Sequence, residues 1–362
     1  MQDDSTGDRH QTSLGYVLDL SPWPPLSPGQ RARAQRVFLR IVEHFEADEP
    51  ANDHRAQRPS YSRSLLLRLT YEHAQSDESR DFFLRAFLQA VTLFDIDGGD
   101  AAEPESEAEE LDFGELRPLF NGFAEYLMDN FFLPCVNATH AANVPGQPFG
   151  RPPFSDPEFV ARYRQYGADA RDDDGVLFSE QDPGQFDGLE VAHVLPHSLM
   201  KASADSELNQ SREAALAILN MFDIGVAHLI NGVDIDRPRN ALTLTLRFHQ
   251  LFGAFDIYFT PVPDTYDTYR IESFLPPPMT VGLPVTRALF VTSSRTIDPP
   301  SSRLLAVHRA IAHILHLSGA GAYIDRILRD MEDSVVRSDG TSDLGRMVAL
   351  GLGGWLDGTV SS

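Results

Sequence analysis

The sequence predicts an α+β fold in which helices come first and short strands appear in the second half of the chain. Apolar residues recur at helical spacing in residues 37–45, whereas residues 189–195 and 255–259 are short apolar or alternating runs of the kind that forms strands. Because 42% of the residues are hydrophobic, the chain can bury a sizeable core.

We expect the 362 residues to fall into four parts. Residues 1–27 form a proline-containing tether. Residues 28–170 form a helical N-terminal region, which is interrupted at 95–112 by an acidic linker whose charges repel one another. Residues 171–262 form a central unit of strands and a helix, and residues 263–362 form an extension of strands and helices that packs on this unit.

The helical region begins with a clear start signal. Ser27 is a favourable N-cap, and Pro28 is tolerated in the first helical turn, where its missing N–H costs nothing. Further helical patterns follow at residues 62–73, 80–94, 116–133 and 157–166. We expect the 116–133 helix to end at Pro134, because proline interrupts the helical hydrogen-bond ladder.

In the central unit and the extension, strands alternate with helices. We predict strands at residues 176–178, 189–195, 240–245, 255–259, 269–274 and 289–292. We predict helices at residues 211–222, 246–252, 302–316 and 323–331. The last two are separated by the break Gly319-Ala-Gly321.

Charge and composition narrow the function classes. The formal net charge is −23, with 53 acidic and 30 basic residues, which disfavours nucleic acid because phosphate binding depends on Lys and Arg. Residues 190–260 are also acidic, with eight acidic and five basic side chains. The N-terminal residues lack an apolar leader, and no run reaches membrane-spanning length. We therefore expect a soluble intracellular protein of the cytoplasm or nucleus that is neither secreted nor bound to a membrane, and the oligomeric state stays open.

Three polar residues of the central unit suggest a chemistry. His193 follows an apolar strand and can act as a general base. Asn240 can bridge backbone groups of the intervening loop, and His249 opens a helix and can bind a divalent metal ion. For each there is an alternative structural role: a buried histidine bonded to the backbone, a purely structural asparagine and a packed helix residue.

The motifs around these residues resemble the HNH endonuclease-type domain of the ββα-metal superfamily. They are Ala192-His-Val-Leu-Pro-His-Ser198, Ile235-Asp-Arg-Pro-Arg-Asn-Ala241 and His249-Gln-Leu-Phe-Gly253. More narrowly, the chain is similar to HNH nuclease-like proteins of filamentous fungi. The resemblance is densest over 171–260 and implies a ββα-metal core, with His193 as base, Asn240 as the central asparagine, His249 as metal ligand, and Mg²⁺ or Mn²⁺ rather than Zn²⁺ as cofactor.

One position departs from the family pattern. Many active HNH sites carry Asp or His as a metal ligand immediately before the base, and here that residue is Ala192. Glu190 lies on the same strand face as Ala192 and is the candidate replacement. His197 is a second candidate catalytic residue or a surface residue, and Arg237 and Arg239 can each contact a substrate phosphate or pair with nearby Asp residues.

Three functions follow as hypotheses. The first is a metal-dependent nuclease or phosphodiesterase of HNH type. The second is a repurposed enzyme that carries out an acid/base isomerisation or cyclisation on a small molecule of fungal secondary metabolism, which the acidic charge and Ala192 both favour. The third is an inactive binding protein.

Three histidines and the cysteine are predicted to lie outside the site. His313 and His316 share one face of a helix, and we expect them, with His308, to pack or to pair with carboxylates. No base can be assigned to Cys135, which we expect to be buried.

Overall fold

The computed structural model describes residues 24–49, 61–91, 111–136, 189–200, 206–276, 279, 283–289, 297–332, 343 and 345–347. These residues form helices and two small antiparallel sheets, which confirms the α+β class. Residues 1–23 of the predicted tether, nearly all of the acidic linker, the predicted strand at 176–178 and the helix at 157–166 lie outside the described residues. The four predicted domain boundaries stay predictions.

The helices are α1 Pro28–Asp48, α2 Arg63–Glu72, α3 Asp77–Ala90, α4 Phe113–Leu127, α5 Ser206–Phe222, α6 Leu246–Gly253, α7 Ser302–Ser318 and α8 Ala320–Glu332. The strands are β1 Leu189–His193, β2 Ala241–Thr245, β3 Ile257–Pro261, β4 Thr268–Ser273 and β5 Val285–Ala288. Strands β1 and β2 form one sheet, and β3, β4 and β5 form the other in that order. Among the described residues, no helix combines the length and apolarity needed to cross a bilayer.

The start of α1 agrees with its sequence signal. Ser27 is the N-cap and forms a capping box with Gln30, and Pro28 occupies the first turn. The preceding Leu26 is buried, and its N–H donates to Asp81 of α3 at 2.9 Å. The last residues of the predicted tether are therefore packed on the helical region.

The prediction that the helix at 116–133 ends at Pro134 is wrong. After α4, residues Met128–Phe132 form a π-helical turn, and helical structure continues to Val136. The N–H of Leu133 donates to the carbonyl of Met128, five residues back. A proline ring clashes with the carbonyl four residues before it, and the wider π turn directly upstream is a known way to accommodate such a break in the ladder.

Of the predicted strand at 289–292 only Leu289 is described, and it is not a strand residue; the strand observed in this region is β5, which ends directly before it. Val285 pairs with Ile271 of β4, and Ala288 pairs with Thr268. Leu289 lies beyond the strand, where its N–H donates to the carbonyl of Asp267 at 2.7 Å. Pairing to β4 rather than apolarity therefore sets the position of the strand, and residues 290–292 lie outside the described part of the chain.

The central unit and the helical region share one hydrophobic core. Phe222 of α5 stacks on Phe131 of the π turn, with ring centroids 5.5 Å apart. The backbone of Phe222 also accepts a hydrogen bond from the N–H of Gln75 at 2.7 Å. The elements that carry the candidate site are therefore anchored on the N-terminal helices.

Helices α7 and α8 complete the core. They are separated at Gly319, whose φ of 78° lies in the left-handed region that favours glycine. The predicted break Gly319-Ala-Gly321 is confirmed at Gly319, whereas Ala320 and Gly321 already belong to α8, which begins before the predicted start at residue 323. Arg346, from the short described segment 345–347, contacts Glu125 and donates to Asp129 at 2.6 Å, which ties this segment to the helical region.

Candidate active site

The site is built on β1, β2 and α6. Strands β1 and β2 pair antiparallel, with Glu190 opposite Leu244 and His193 opposite Ala241. The chain turns directly from β2 into α6, where Thr245 is the N-cap and its Oγ1 accepts from the N–H of Phe248 at 3.4 Å. Phe252 is fully buried and anchors α6 in the core.

Asn240 joins the end of β1 to the loop before β2. It is fully buried, and its Oδ1 accepts from the N–H of Leu195 at 2.9 Å. Its Nδ2 donates to the carbonyls of Leu195 at 3.0 Å and Ile235 at 2.9 Å. The carbonyl of Asn240 also accepts from the N–H of Val194 at 2.8 Å. Its side-chain groups are thus satisfied by the backbone, and its role here is to fix the loop.

His193 is the last residue of β1 and contacts Asp236. Its Nε2 lies 3.1 Å from Asp236 Oδ1. The His193 side chain is 31% exposed and that of Asp236 is 63% exposed, so the pair lies at the surface and is accessible. Sequence reasoning placed Asp236 in a turn and missed this contact, although its position four residues before Asn240 was a usable signal.

Glu190 and His249 form a second carboxylate–histidine pair. His249 Nδ1 lies 2.7 Å from Glu190 Oε2, and the two side chains are 24% and 19% exposed. An ionised carboxylate only accepts hydrogen bonds, so the contact needs the proton on Nδ1, and in a neutral imidazole the lone pair is then on Nε2. Ala192, on the same strand face as Glu190, is fully buried.

His197 is a neighbour of His193. It opens the 3₁₀ turn His197–Met200 and is exposed. The two imidazole rings meet edge to face, with centroids 6.1 Å apart.

Arg237 and Arg239 both turn towards Asp234. Arg237 Nε lies 3.3 Å and Arg239 Nη2 lies 3.9 Å from Asp234 Oδ1. Arg237 is 59% exposed, so it can also reach a ligand in solvent. A substrate phosphate would have to compete with Asp234 for these guanidinium groups.

The comparisons with known proteins agree with this arrangement. Residues 171–260 match the family model described as HNH endonuclease. The chain carries an HNH-type domain. The match covers β1, β2 and α6 and reaches β3, and it confirms the resemblance carried by the three motifs, while the narrower similarity to fungal proteins stays a prediction. No curated protein and no solved structure matches the chain.

The described part of the HNH-type domain supplies few groups for a metal ion. Among the described residues, no cluster of three His, Cys, Asp or Glu side chains could hold one. In the Glu190–His249 pair, Glu190 contacts Nδ1 of the imidazole, and Nε2 on the other side of the ring is the nitrogen that remains for an ion. A site with so few protein ligands suits Mg²⁺ or Mn²⁺ only together with substrate, because Mg²⁺ keeps several waters and binds through one or two protein groups and substrate phosphates.

Cys135 and the three histidines of α7 (His308, His313 and His316) pack or pair within the fold. His316 Nε2 lies 3.4 Å from Asp256 Oδ1, and His313 Nδ1 lies 2.8 Å from the carbonyl of Arg309. The ring of His308 is stacked between Phe252 and Phe255, and its burial lowers its pKa to about 3. Cys135 is buried, which raises the pKa of its thiol.

Proposed function

We propose that the HNH-type domain hydrolyses phosphodiester bonds with the help of a divalent cation, with nucleic acid as the substrate class. The observation that supports this best is the pair of carboxylate-bound histidines. His193 stands at the end of β1, and α6 presents His249 to Glu190 on the other face of the same strand. Asn240 locks the loop that connects them.

His193 acts as the general base. Its ring takes a proton from a water molecule, whose oxygen then bonds to the phosphorus atom. The bond from phosphorus to the leaving ester oxygen breaks, and that oxygen takes a proton from solvent. The accessibility of His193, which is 31% exposed, allows a water molecule and a phosphate to approach it.

His249 would hold the cation, and Glu190 would orient His249 for it. His249 would bind through Nε2, because Nδ1 donates to Glu190. In this arrangement Glu190 fixes the imidazole through Oε2 and lies on the side of the ring away from the cation, so it is not itself a ligand. When bound, Mg²⁺ or Mn²⁺ supplies charge stabilisation at the phosphate and leaving oxygen.

Arg237 and Arg239 would bind substrate phosphates after exchanging Asp234 for the substrate. Because this exchange weakens binding and the chain carries a net charge of −23, we expect a low affinity for nucleic acid that falls further as salt increases. Nuclease assays should therefore be carried out at low ionic strength.

Plasmid nicking tests the proposal. With Mg²⁺ or Mn²⁺ at low salt, the full-length chain should convert supercoiled plasmid to open circles, and EDTA should stop this. His193→Ala should lose the activity. His44→Ala is a matched control, since His44 lies on α1 and stacks on Phe113, and it should keep the activity. Intact plasmid with pure protein and either metal would refute the proposal.

A second candidate is acid/base chemistry on a small molecule. Leu189 and Val191 are 46% and 57% exposed and, by strand alternation, share the outward face of β1 with His193. An apolar strip beside an accessible His–Asp pair suits an organic ligand better than a phosphate backbone. The test compares the wild type with the double variant Leu189→Ser and Val191→Ser. Apolar ligands that raise the melting temperature of the wild type but not that of the double variant would favour this candidate. If neither activity nor such binding is found, an inactive protein that binds a macromolecular partner is the alternative.

A further inference from the structure

We infer that Asp236 is a positioning residue for His193, which it holds as the Nε2–H tautomer so that Nδ1 is the proton-accepting atom. The inference rests on the proposed role of His193 as the base. It adds a residue to His193, Asn240 and His249 and names the reacting nitrogen.

The tautomer follows from the chemistry of the contact. His193 Nε2 lies 3.1 Å from Asp236 Oδ1. An ionised carboxylate has no proton to donate, and a neutral imidazole carries only one N–H. The hydrogen bond therefore requires the proton on Nε2, which leaves the lone pair on Nδ1.

The contact is set by the backbone on both sides of the pair. Asn240 bonds to Leu195, two residues after His193, and to the carbonyl of Ile235, the residue directly before Asp236. Asp236 itself ends the 3₁₀ turn Gly232–Asp236, and the N–H of Arg237 donates to the carbonyl of Asp234 at 3.1 Å. One buried asparagine thus holds both partners at a fixed spacing.

The neighbouring charges favour this pairing. Arg237 and Arg239 both turn towards Asp234, at 3.3 Å and 3.9 Å, so they do not draw Oδ1 of Asp236 away from His193. When His193 takes up a proton, the Asp236 carboxylate stabilises the imidazolium that forms, as in catalytic triads. Asp236 acts through His193 and does not touch the reacting atoms.

The first test reads the tautomer directly and does not need activity. Full-length protein with ¹⁵N-labelled histidine is examined by NMR at alkaline pH, where imidazole rings are neutral. The wild type should show His193 as the Nε2–H form. Asp236→Ala should give a mixture of tautomers, and Asp236→Asn should keep the Nε2–H form because its Oδ1 still accepts. Asp234→Asn, the matched control, should leave the His193 signals unchanged. An unaltered tautomer in Asp236→Ala would overturn the inference.

The second test uses nicking kinetics. Asp236→Ala should lower kcat roughly 10- to 100-fold, a part of the usual general-base contribution, with a much smaller change in KM, and Asp236→Asn should recover part of the loss. The two tests distinguish a failure of the proposed function from a failure of the proposed role of Asp236. A tautomer that depends on Asp236 in a protein without nuclease activity would refute only the proposed function. Full activity in Asp236→Ala, with none in His193→Ala, would refute only the role of Asp236.

Discussion

Asn240 and Leu195 are joined by two hydrogen bonds between the side-chain amide of Asn240 and the backbone N–H and carbonyl of Leu195. The N–H of Leu195 donates to Asn240 Oδ1 at 2.9 Å, and Asn240 Nδ2 donates to the carbonyl of Leu195 at 3.0 Å. The β1–β2 ladder ends at the pair His193–Ala241, so the side chain continues the pairing beyond the last strand residues. It thereby fixes the end of β1 that carries His193.

Replacing Asn240 should destabilise the whole protein. Asn240→Ala leaves buried groups of Leu195 and Ile235 without partners, which should cost roughly 3 kcal/mol. Asn240→Asp should cost more, because it puts an acceptor or a buried charge against two carbonyl oxygens. Urea denaturation of the full chain measures both losses.

Asn231→Asp is the matched control for this measurement. Asn231 is exposed, and its Oδ1 accepts from Arg212 at 2.8 Å, which an aspartate can also do. We expect a change within about 0.5 kcal/mol. Equal denaturation midpoints for Asn240→Asp and Asn231→Asp would show that the Asn240 bonds do not hold the loop.

Mn²⁺ affinity should depend on the Glu190–His249 pair. His249→Ala removes the proposed nitrogen ligand, and Glu190→Gln removes the charge that orients the imidazole, so each should weaken Mn²⁺ binding at least about 10-fold. Isothermal titration of the full chain gives the dissociation constants.

His316→Ala provides the comparison, since His316 also lies near a carboxylate, at 3.4 Å from Asp256. Its Mn²⁺ affinity should equal that of the wild type. If His316→Ala weakened binding as much as His249→Ala, the cation would not be specific for the candidate site.

Ala192→Asp should make stability depend on metal. Ala192 is fully buried on the strand face of Glu190, so a new carboxylate there should cost several kcal/mol when no cation compensates it. Mn²⁺ should raise the melting temperature of this variant much more than that of the wild type. Ala192→Asn has the same size without the charge, and an equal Mn²⁺ effect in both variants would contradict this account.

The sequence predicted the start of α1, the break at Gly319 and the positions of β1, β2 and α6, because local capping, glycine conformation and apolar patterning decide them. It failed at Pro134, where helical structure continues after a π turn, and it missed β5, whose residues are paired to β4. The contact of Asp236 could not be predicted either, because it depends on residues that are distant in the sequence. Its contact with His193 spans 43 positions, and the loop geometry that creates it depends on the bonds of Asn240.

Acid should destabilise the protein partly through His308. Its ring is stacked between Phe252 and Phe255, and burial lowers its pKa from 6.5 to about 3. The unfolded chain therefore binds a proton that the folded chain excludes between these two values. The stability that neutral His308 contributes is fully present above pH 6.5 and is lost as the pH falls towards 3. Between these values the free energy of unfolding falls with a slope approaching about 1.4 kcal/mol per pH unit.

His308→Leu isolates this contribution. The variant loses the hydrogen bond to the carbonyl of Phe252, so it is less stable overall, but its free energy of unfolding should fall less steeply on acidification. Burial lowers the pKa of His73 to about 4, which adds a slope of the same sign to both proteins and cancels in their difference. If the free energies of unfolding of the wild type and His308→Leu fell in parallel with pH, His308 would not be buried in its neutral form.

The most direct test of the proposed site is the anomalous scattering of crystals soaked with Mn²⁺. The account predicts one peak next to Nε2 of His249, the imidazole that Glu190 orients, and no such peak in crystals of His249→Ala. A map without a peak at this pair, or with Mn²⁺ bound only elsewhere on the molecule, would contradict the assignment of a metal-dependent phosphodiesterase.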